Sequence, residues 1–212
     1  MTRVKVCGIT NPEDALMAVN YGADAIGIVN VKGTPRFVDL KTAREIFDSL
    51  PVFVSKVIVA MPETIEEALE IEETKANYIQ LHGNEPVNFV RELRENINLG
   101  IIKKISVDEN CLKNSKRYSG IVDAILLDTK VKGLSGGTGK VHDWDISRKI
   151  AESIKKPVIL AGGLNPENVK SAIETVRPYA VDTSSGVESK PRKKDKKKVE
   201  KFIMVAKNET TK

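Results

Sequence analysis

Val158-Ile159-Leu160-Ala161-Gly162-Gly163-Leu164-Asn165-Pro166-Glu167-Asn168 holds a complete structural unit in eleven residues. The short apolar, partly β-branched run reads as a buried strand. Two glycines follow, which lets the backbone turn tightly and approach a ligand closely. Asn165-Pro166-Glu167 then reads as a helix start: a capping side chain, proline in the first turn, and an acid near the positive end of the helix. A strand that feeds a helix in this way is half of a parallel crossover.

The same unit recurs throughout the chain. Near the N-terminus, Val4-Lys5-Val6-Cys7 is a strand closed by Gly8. Thr10-Asn11-Pro12-Glu13-Asp14 opens a helix whose apolar face is Ala15, Leu16, Ala18 and Val19. Further strands are expected at 24–29, 52–59, 78–81, 100–105, 121–127, 158–161 and 179–181. Helical stretches are expected at about 40–50, 62–74, 85–96, up to 119, 145–154, from 165, and 196–206. Eight strands alternating with eight helical stretches point to an α/β fold, a single (β/α)8 TIM barrel. An open doubly wound sheet is the alternative, but it rarely needs eight units. Residues 1–212 show no linker, so one domain is expected.

Composition narrows the function. Of 212 residues, 41% are hydrophobic and 30% charged, which excludes a generally disordered chain. No apolar run approaches the roughly 18 residues of a spanning helix, and the first residues carry no apolar signal core, so no membrane association and a cytoplasmic location are expected. Cys7, Cys111 and two histidines lack the paired spacing of a zinc site, so neither a metal nor a disulfide framework is expected. The formal charge of +5 is local. Residues 190–198, a loop and helix start, carry seven bases and one acid; without them, 27 bases face 28 acids, a net of −1. These lysines are expected to be solvated, with no nucleic-acid partner.

The active site of such a barrel lies at the C-terminal ends of its strands. Gly162 and Gly163 follow strand seven, and Asp182, Ser184 and Ser185 follow strand eight, the recurrent phosphate position of this architecture. Free N–H groups and hydroxyl donors there suit an anion. A second glycine-rich stretch, Gly133-Leu134-Ser135-Gly136-Gly137-Thr138-Gly139-Lys140, fails both nucleotide patterns. Leu134 stands where a P-loop needs glycine, Val141 where it needs Ser or Thr, and His142 where the dinucleotide fingerprint needs its third glycine. A mobile loop over the site is expected instead. Cys7 ends strand one and Asp128 ends strand six; a thiolate and a protonated carboxyl facing one cavity can serve as base and acid. Arg36, after strand two, can clamp a carboxylate. His82 is expected to be a hydrogen-bonded structural imidazole, and His142 and Cys111 to be structural or surface residues.

Several stretches together resemble the phosphoribosylanthranilate isomerase family of tryptophan biosynthesis. They are Val4-Lys5-Val6-Cys7-Gly8-Ile9-Thr10, Gly22-Ala23-Asp24-Ala25-Ile26-Gly27, Gln80-Leu81-His82-Gly83, Leu126-Leu127-Asp128-Thr129, Gly136-Gly137-Thr138-Gly139-Lys140, Ala161-Gly162-Gly163-Leu164-Asn165-Pro166-Glu167-Asn168-Val169 and Val181-Asp182-Thr183-Ser184-Ser185-Gly186-Val187-Glu188. The resemblance implies an Amadori rearrangement of N-(5-phosphoribosyl)anthranilate, without metal or cofactor. The product is 1-(2-carboxyphenylamino)-1-deoxyribulose 5-phosphate. By that resemblance Asp128 is the general acid, Cys7 the general base, and Arg36 the ligand of the anthranilate carboxylate. The expected partner is a small phosphorylated substrate, and the chain is expected as a monomer or homodimer. Two alternatives remain: another phosphosugar isomerase on the same barrel, such as the histidine-pathway enzyme with an aspartate where Cys7 stands, or a nucleic-acid-binding barrel protein.

Overall fold

The computed structural model describes residues 1–129 and 141–208. The stretch 133–140, expected as a loop over the site, lies outside the described residues. Eight parallel strands close into a barrel in sequence order: β1 (Arg3–Cys7), β2 (Ala25–Val29), β3 (Ser55–Ala60), β4 (Tyr78–Leu81), β5 (Gly100–Val107), β6 (Ala124–Thr129), β7 (Val158–Leu160) and β8 (Ala180–Thr183). The helices are α1 (Pro12–Asn20), α2 (Leu40–Asp48), α3 (Ile65–Glu72), α4 (Val87–Asn96), α5 (Cys111–Ser119), α6 (Trp144–Ser153), α7 (Val169–Val176) and α8 (Lys196–Asn208). Parallel β1–β8 pairing, with Lys5 opposite Asp182, closes the ring.

Strand parity sorts the core into two layers. Val4, Val6, Ile26, Ile28, Ile79, Leu81, Ile125 and Leu127 face outward and pack under the helices. Val57, Ile102, Ala124, Leu126, Ile159, Ala161 and Ala180 fill the barrel interior. Each fully buried aliphatic or aromatic side chain contributes about 1.5–3 kcal/mol, so Phe47, Phe202 and the isoleucines dominate the outer layer.

Several element ends differ from the sequence expectation. β3 begins at Ser55, not residue 52, because its register against Ala25 starts there; Val52 and Phe53 stay outside, 90% and 99% exposed. β6 begins at Ala124, since Ile121 and Val122 turn back to the Tyr118 carbonyl. α3 starts after Thr64, whose hydroxyl accepts from Glu67 N–H at 3.3 Å. α7 starts four residues late because Asn165 and Asn168 build a turn of their own. Asn165 Oδ1 accepts from the N–H groups of Glu167 and Asn168, and Asn168 Oδ1 accepts from that of Asn165. Such side-chain bonds compete with the helix ladder.

After β8 the chain forms a 3₁₀ turn (Ser185–Val187) and a small hairpin, β9 (Glu188–Lys190) with β10 (Lys193–Lys194). The expectation of a solvated lysine run is corrected here. Lys193, Lys196 and Lys197 are exposed, but Lys194 is 4% exposed and its ammonium is ion-paired.

Candidate active site

Alternation along the strands points Lys5 and Cys7 of β1, Gln80 of β4, Leu126 and Asp128 of β6, and Asp182 of β8 inward. Cys7, Gln80, His82, Asp128 and Asp182 line one cavity at the C-terminal end of the barrel. Arg36, Gly162, Gly163, Ser184 and Ser185 complete its mouth. The sequence-predicted site residues therefore converge on one space.

Cys7 is buried beside a buried ion pair. Lys5 Nζ donates to Asp182 Oδ1 at 2.8 Å. Burial alone would lower the Lys5 ammonium, but the Asp182 carboxylate and Cys7 outweigh it, so Lys5 is held protonated. Burial, reinforced by the Asp182 carboxylate, pushes the Cys7 thiol up, and the ammoniums of Lys5 and Lys194 oppose that rise without cancelling it. Gly27 is the neighbour of Cys7 in register, and a Cβ there would lie 2.8 Å from Cys7 Sγ and 3.0 Å from Lys5 Nζ. Glycine is thus what lets a thiol and an ammonium share this corner.

Asp128, the penultimate residue of β6, lines the same cavity. Burial raises its pKa, and the Lys104 ammonium partly opposes that; Oδ1 accepts the Thr129 N–H at 2.8 Å. A carboxyl with a raised pKa is suited to donate a proton near neutrality. The expectation of a hydrogen-bonded His82 does not hold. Its Nδ1 is buried with no partner among the described residues, as is Gln80 Oε1, because both side chains point into the cavity rather than into the packed layers. Burial, then the nearby ammonium of Lys104, lowers His82 to about 4, so its imidazole is neutral at pH 7. His142 is structural: Nδ1 pairs with Thr129 Oγ1 at 3.0 Å and Nε2 with Ser147 Oγ at 2.6 Å. Cys111 is buried in α5. Among the described residues no group of three His, Cys, Asp or Glu side chains is placed to hold a metal.

The loops after β7 and β8 meet at the mouth. Gly162 and Gly163 have φ of +87° and +72°, a region that side chains rarely adopt. A Cβ on Gly162 would also collide with Thr129 and lie 2.9 Å from Asp128 Oδ1. Among the described residues the N–H groups of Gly162, Gly163 and Ser184 have no protein acceptor. These are anion-binding donors without a charged side chain.

Arg36 reaches the cavity from the loop after β2. Its Nε and Nη2 donate to Glu188 Oε1 and Oε2 at 2.8 and 2.6 Å. Glu188 in turn accepts from Lys194 Nζ at 3.0 Å. Sequence reasoning missed Lys5, Gln80, Glu188 and Lys194. Period-two parity from Cys7 was the available signal for Lys5, and no local signal pairs Glu188 with Arg36.

Residues 4–205 match the family model described as N-(5'-phosphoribosyl)anthranilate (PRA) isomerase. The chain belongs to the phosphoribosylanthranilate isomerase family. The N-(5'-phosphoribosyl)anthranilate isomerase of Methanocella arvoryzae is 47% identical over 207 residues, covering 96% of this chain and 97% of the relative. The crystal structure of phosphoribosyl anthranilate isomerase from Thermotoga maritima superposes with a TM-score of 0.90 at 43% identity, covering 98% of this chain and 100% of that one. Another crystal structure, of phosphoribosyl anthranilate isomerase in complex with reduced 1-(o-carboxyphenylamino)-1-deoxyribulose 5-phosphate, has a TM-score of 0.87 at 40% identity, with 98% and 100% coverage. This isomerase family therefore accounts for the fold from end to end.

Proposed function

We infer that the chain is a tryptophan-biosynthesis isomerase that converts N-(5-phosphoribosyl)anthranilate to 1-(2-carboxyphenylamino)-1-deoxyribulose 5-phosphate. The observation that carries this reading is one cavity flanked by Cys7 and Asp128, with two phosphate-type loops at its mouth, in a chain of this family. Asp128 gives its proton to the furanose ring oxygen as the C1′–O bond breaks, and the anthranilate nitrogen lone pair forms the C1′=N bond. The protonated Schiff base acidifies the C2′ hydrogen. Cys7, as thiolate, removes that proton, and the electron pair moves to C1′=C2′ to give the enolamine. Return of a proton to C1′ and loss of one from the C2′ hydroxyl yield the aminoketone, so no atom is gained or lost.

The phosphate is assigned to the N–H groups of Gly162, Gly163 and Ser184 and the hydroxyls of Ser184 and Ser185. Asp182 holds Lys5 next to Cys7, and Arg36 takes the anthranilate carboxylate. We place the enzyme in the cytoplasm as a monomer or homodimer, which sedimentation of the purified chain decides. Among the described residues no helix is long and apolar enough to cross a membrane. The test of function is the loss of substrate fluorescence when the purified protein meets phosphoribosylanthranilate. Consumption at an enzymatic rate supports the assignment, and a folded protein that leaves the substrate untouched overturns it.

A further inference from the structure

Arg36 does not stand alone at the mouth of the cavity. Glu188 grips the side edge of its guanidinium, the edge made by Nε and Nη2. Nη1 has no protein acceptor among the described residues, so the end edge of the fork, Nη1 with the second N–H of Nη2, remains open. A planar guanidinium has five donors in fixed directions, so fixing one edge fixes the aim of the other.

The clamp on Arg36 is itself clamped. Lys194 Nζ, with no exposed side-chain surface, donates to Glu188 Oε1 at 3.0 Å and to the Ser184 carbonyl at 3.1 Å. Lys198 Nζ donates to the Glu188 carbonyl at 2.8 Å. On either side of Arg36, the carbonyls of Pro35 and Phe37 accept from Arg192 Nη1 at 3.2 and 2.9 Å. The β9–β10 hairpin thus ties the loop that carries Arg36 to the loop that carries Ser184.

We propose that Glu188, locked by Lys194, is the positioning residue that presents the end edge of Arg36 to the substrate carboxylate and so sets the preference for a carboxylated aromatic amine. The proposal rests on the reading of Arg36 as the carboxylate ligand. Two cations and one carboxylate leave this unit with a single positive charge, which matches one incoming carboxylate. Replacing Glu188 with glutamine raises that charge to two. If charge alone governed recognition, the carboxylate would bind more tightly. If orientation governs it, the carboxylate binds more weakly, because the amide keeps only one of the two acceptors that fix the edge of the fork and turns a donor toward the guanidinium in place of the other.

The experiment compares two inhibitors of the full-length enzyme: reduced 1-(o-carboxyphenylamino)-1-deoxyribulose 5-phosphate and the same compound without the ring carboxyl. The ratio of their inhibition constants measures carboxylate preference. In Glu188→Gln the ratio should fall roughly tenfold, the scale of one charge-assisted hydrogen bond, while the inhibitor without the carboxyl binds as before. An unchanged or larger ratio, or equal weakening of both inhibitors, overturns the proposal. Arg36→Ala is measured beside it. A ratio that survives the loss of Arg36 removes the carboxylate assignment itself, whereas a ratio lost in Arg36→Ala but kept in Glu188→Gln removes only the role of Glu188. Should Glu188→Gln fail to fold, the double variant E188Q/K194M, which leaves no buried ammonium unpaired and keeps a net charge of one, is judged by the same criterion.

Discussion

Two buried lysine–carboxylate pairs sit on opposite faces of the same sheet. Lys5–Asp182 and Lys103–Glu85 are 2.8 and 2.7 Å long, and all four side chains are almost hidden from water. Lys5 points into the barrel and touches the corner that holds Cys7. Lys103 points out under the helices, where its ammonium also takes the carbonyls of Leu81 and Gly83 and lies 5.6 Å from the Tyr118 ring centroid. The same chemistry thus sits beside a cavity thiol in one place and anchors a loop in the other. One step of strand parity decides which, because successive side chains face opposite sides of a sheet.

The largest effect should come from the thiol and the carboxyl that line the cavity from β1 and β6. Cys7→Ala and Asp128→Asn should each lower kcat about 10²–10⁴-fold with modest change in KM, the usual cost of losing a general base or acid. Steady-state kinetics on folded variants checks this, and near-normal kcat in either one would remove that residue from the chemistry.

The next test sets the two pairs against each other. Lys5→Met and Lys103→Met each strand a buried carboxylate, so thermal or urea unfolding should show about 3–5 kcal/mol of lost stability for both. Only Lys5→Met should move the pH profile. The Lys5 ammonium favours the Cys7 thiolate, so its loss raises the thiol pKa further. A base is active when deprotonated, so the rising limb of kcat/KM should shift to higher pH in Lys5→Met and stay put in Lys103→Met. Equal shifts in the two would erase the distinction drawn from parity.

Arg36→Ala should act on binding. Losing a charge-assisted contact should cost about 1.5–3 kcal/mol of binding, which raises KM roughly 10- to 150-fold with kcat little changed. The smallest effect is expected on the surface. Lys193→Gln, Lys196→Gln and Lys197→Gln combined should leave turnover within about twofold at physiological salt, because exposed charges are screened beyond roughly 8 Å. Adding Lys194→Gln should then cost stability and KM together, since that ammonium is buried against Glu188. A quadruple variant as active and stable as the triple would place Lys194 with its solvated neighbours.

Much of the molecule was legible in the chain, and the exceptions have physical causes. Strand–helix alternation is a local pattern, so the eight units and the strand-end positions of Cys7, His82, Asp128 and Asp182 followed from it. Element ends were less legible where side chains compete with the ladder, as Asn165 and Asn168 do before α7. Val52 and Phe53 read as strand by residue type, yet they lie before the register that starts β3 and face solvent. Lys194 read as one of a solvated run, because a charge count carries no information about burial.

The sequence by itself determined a parallel barrel, the end of it that opens into the cavity, and the thiol, carboxyl and glycine loops gathered there. These rest on spacings of a few residues, which the backbone periods of strand and helix enforce. Only the tertiary structure decided what surrounds those groups. Lys5 meets Asp182 across 177 positions and Arg36 meets Glu188 across 152, because β1–β8 pairing and the β9–β10 hairpin bring the two ends of the chain together at one rim. Electrostatic interaction and desolvation depend on distance and burial in space, so the charge partners of the site become visible only when the barrel closes.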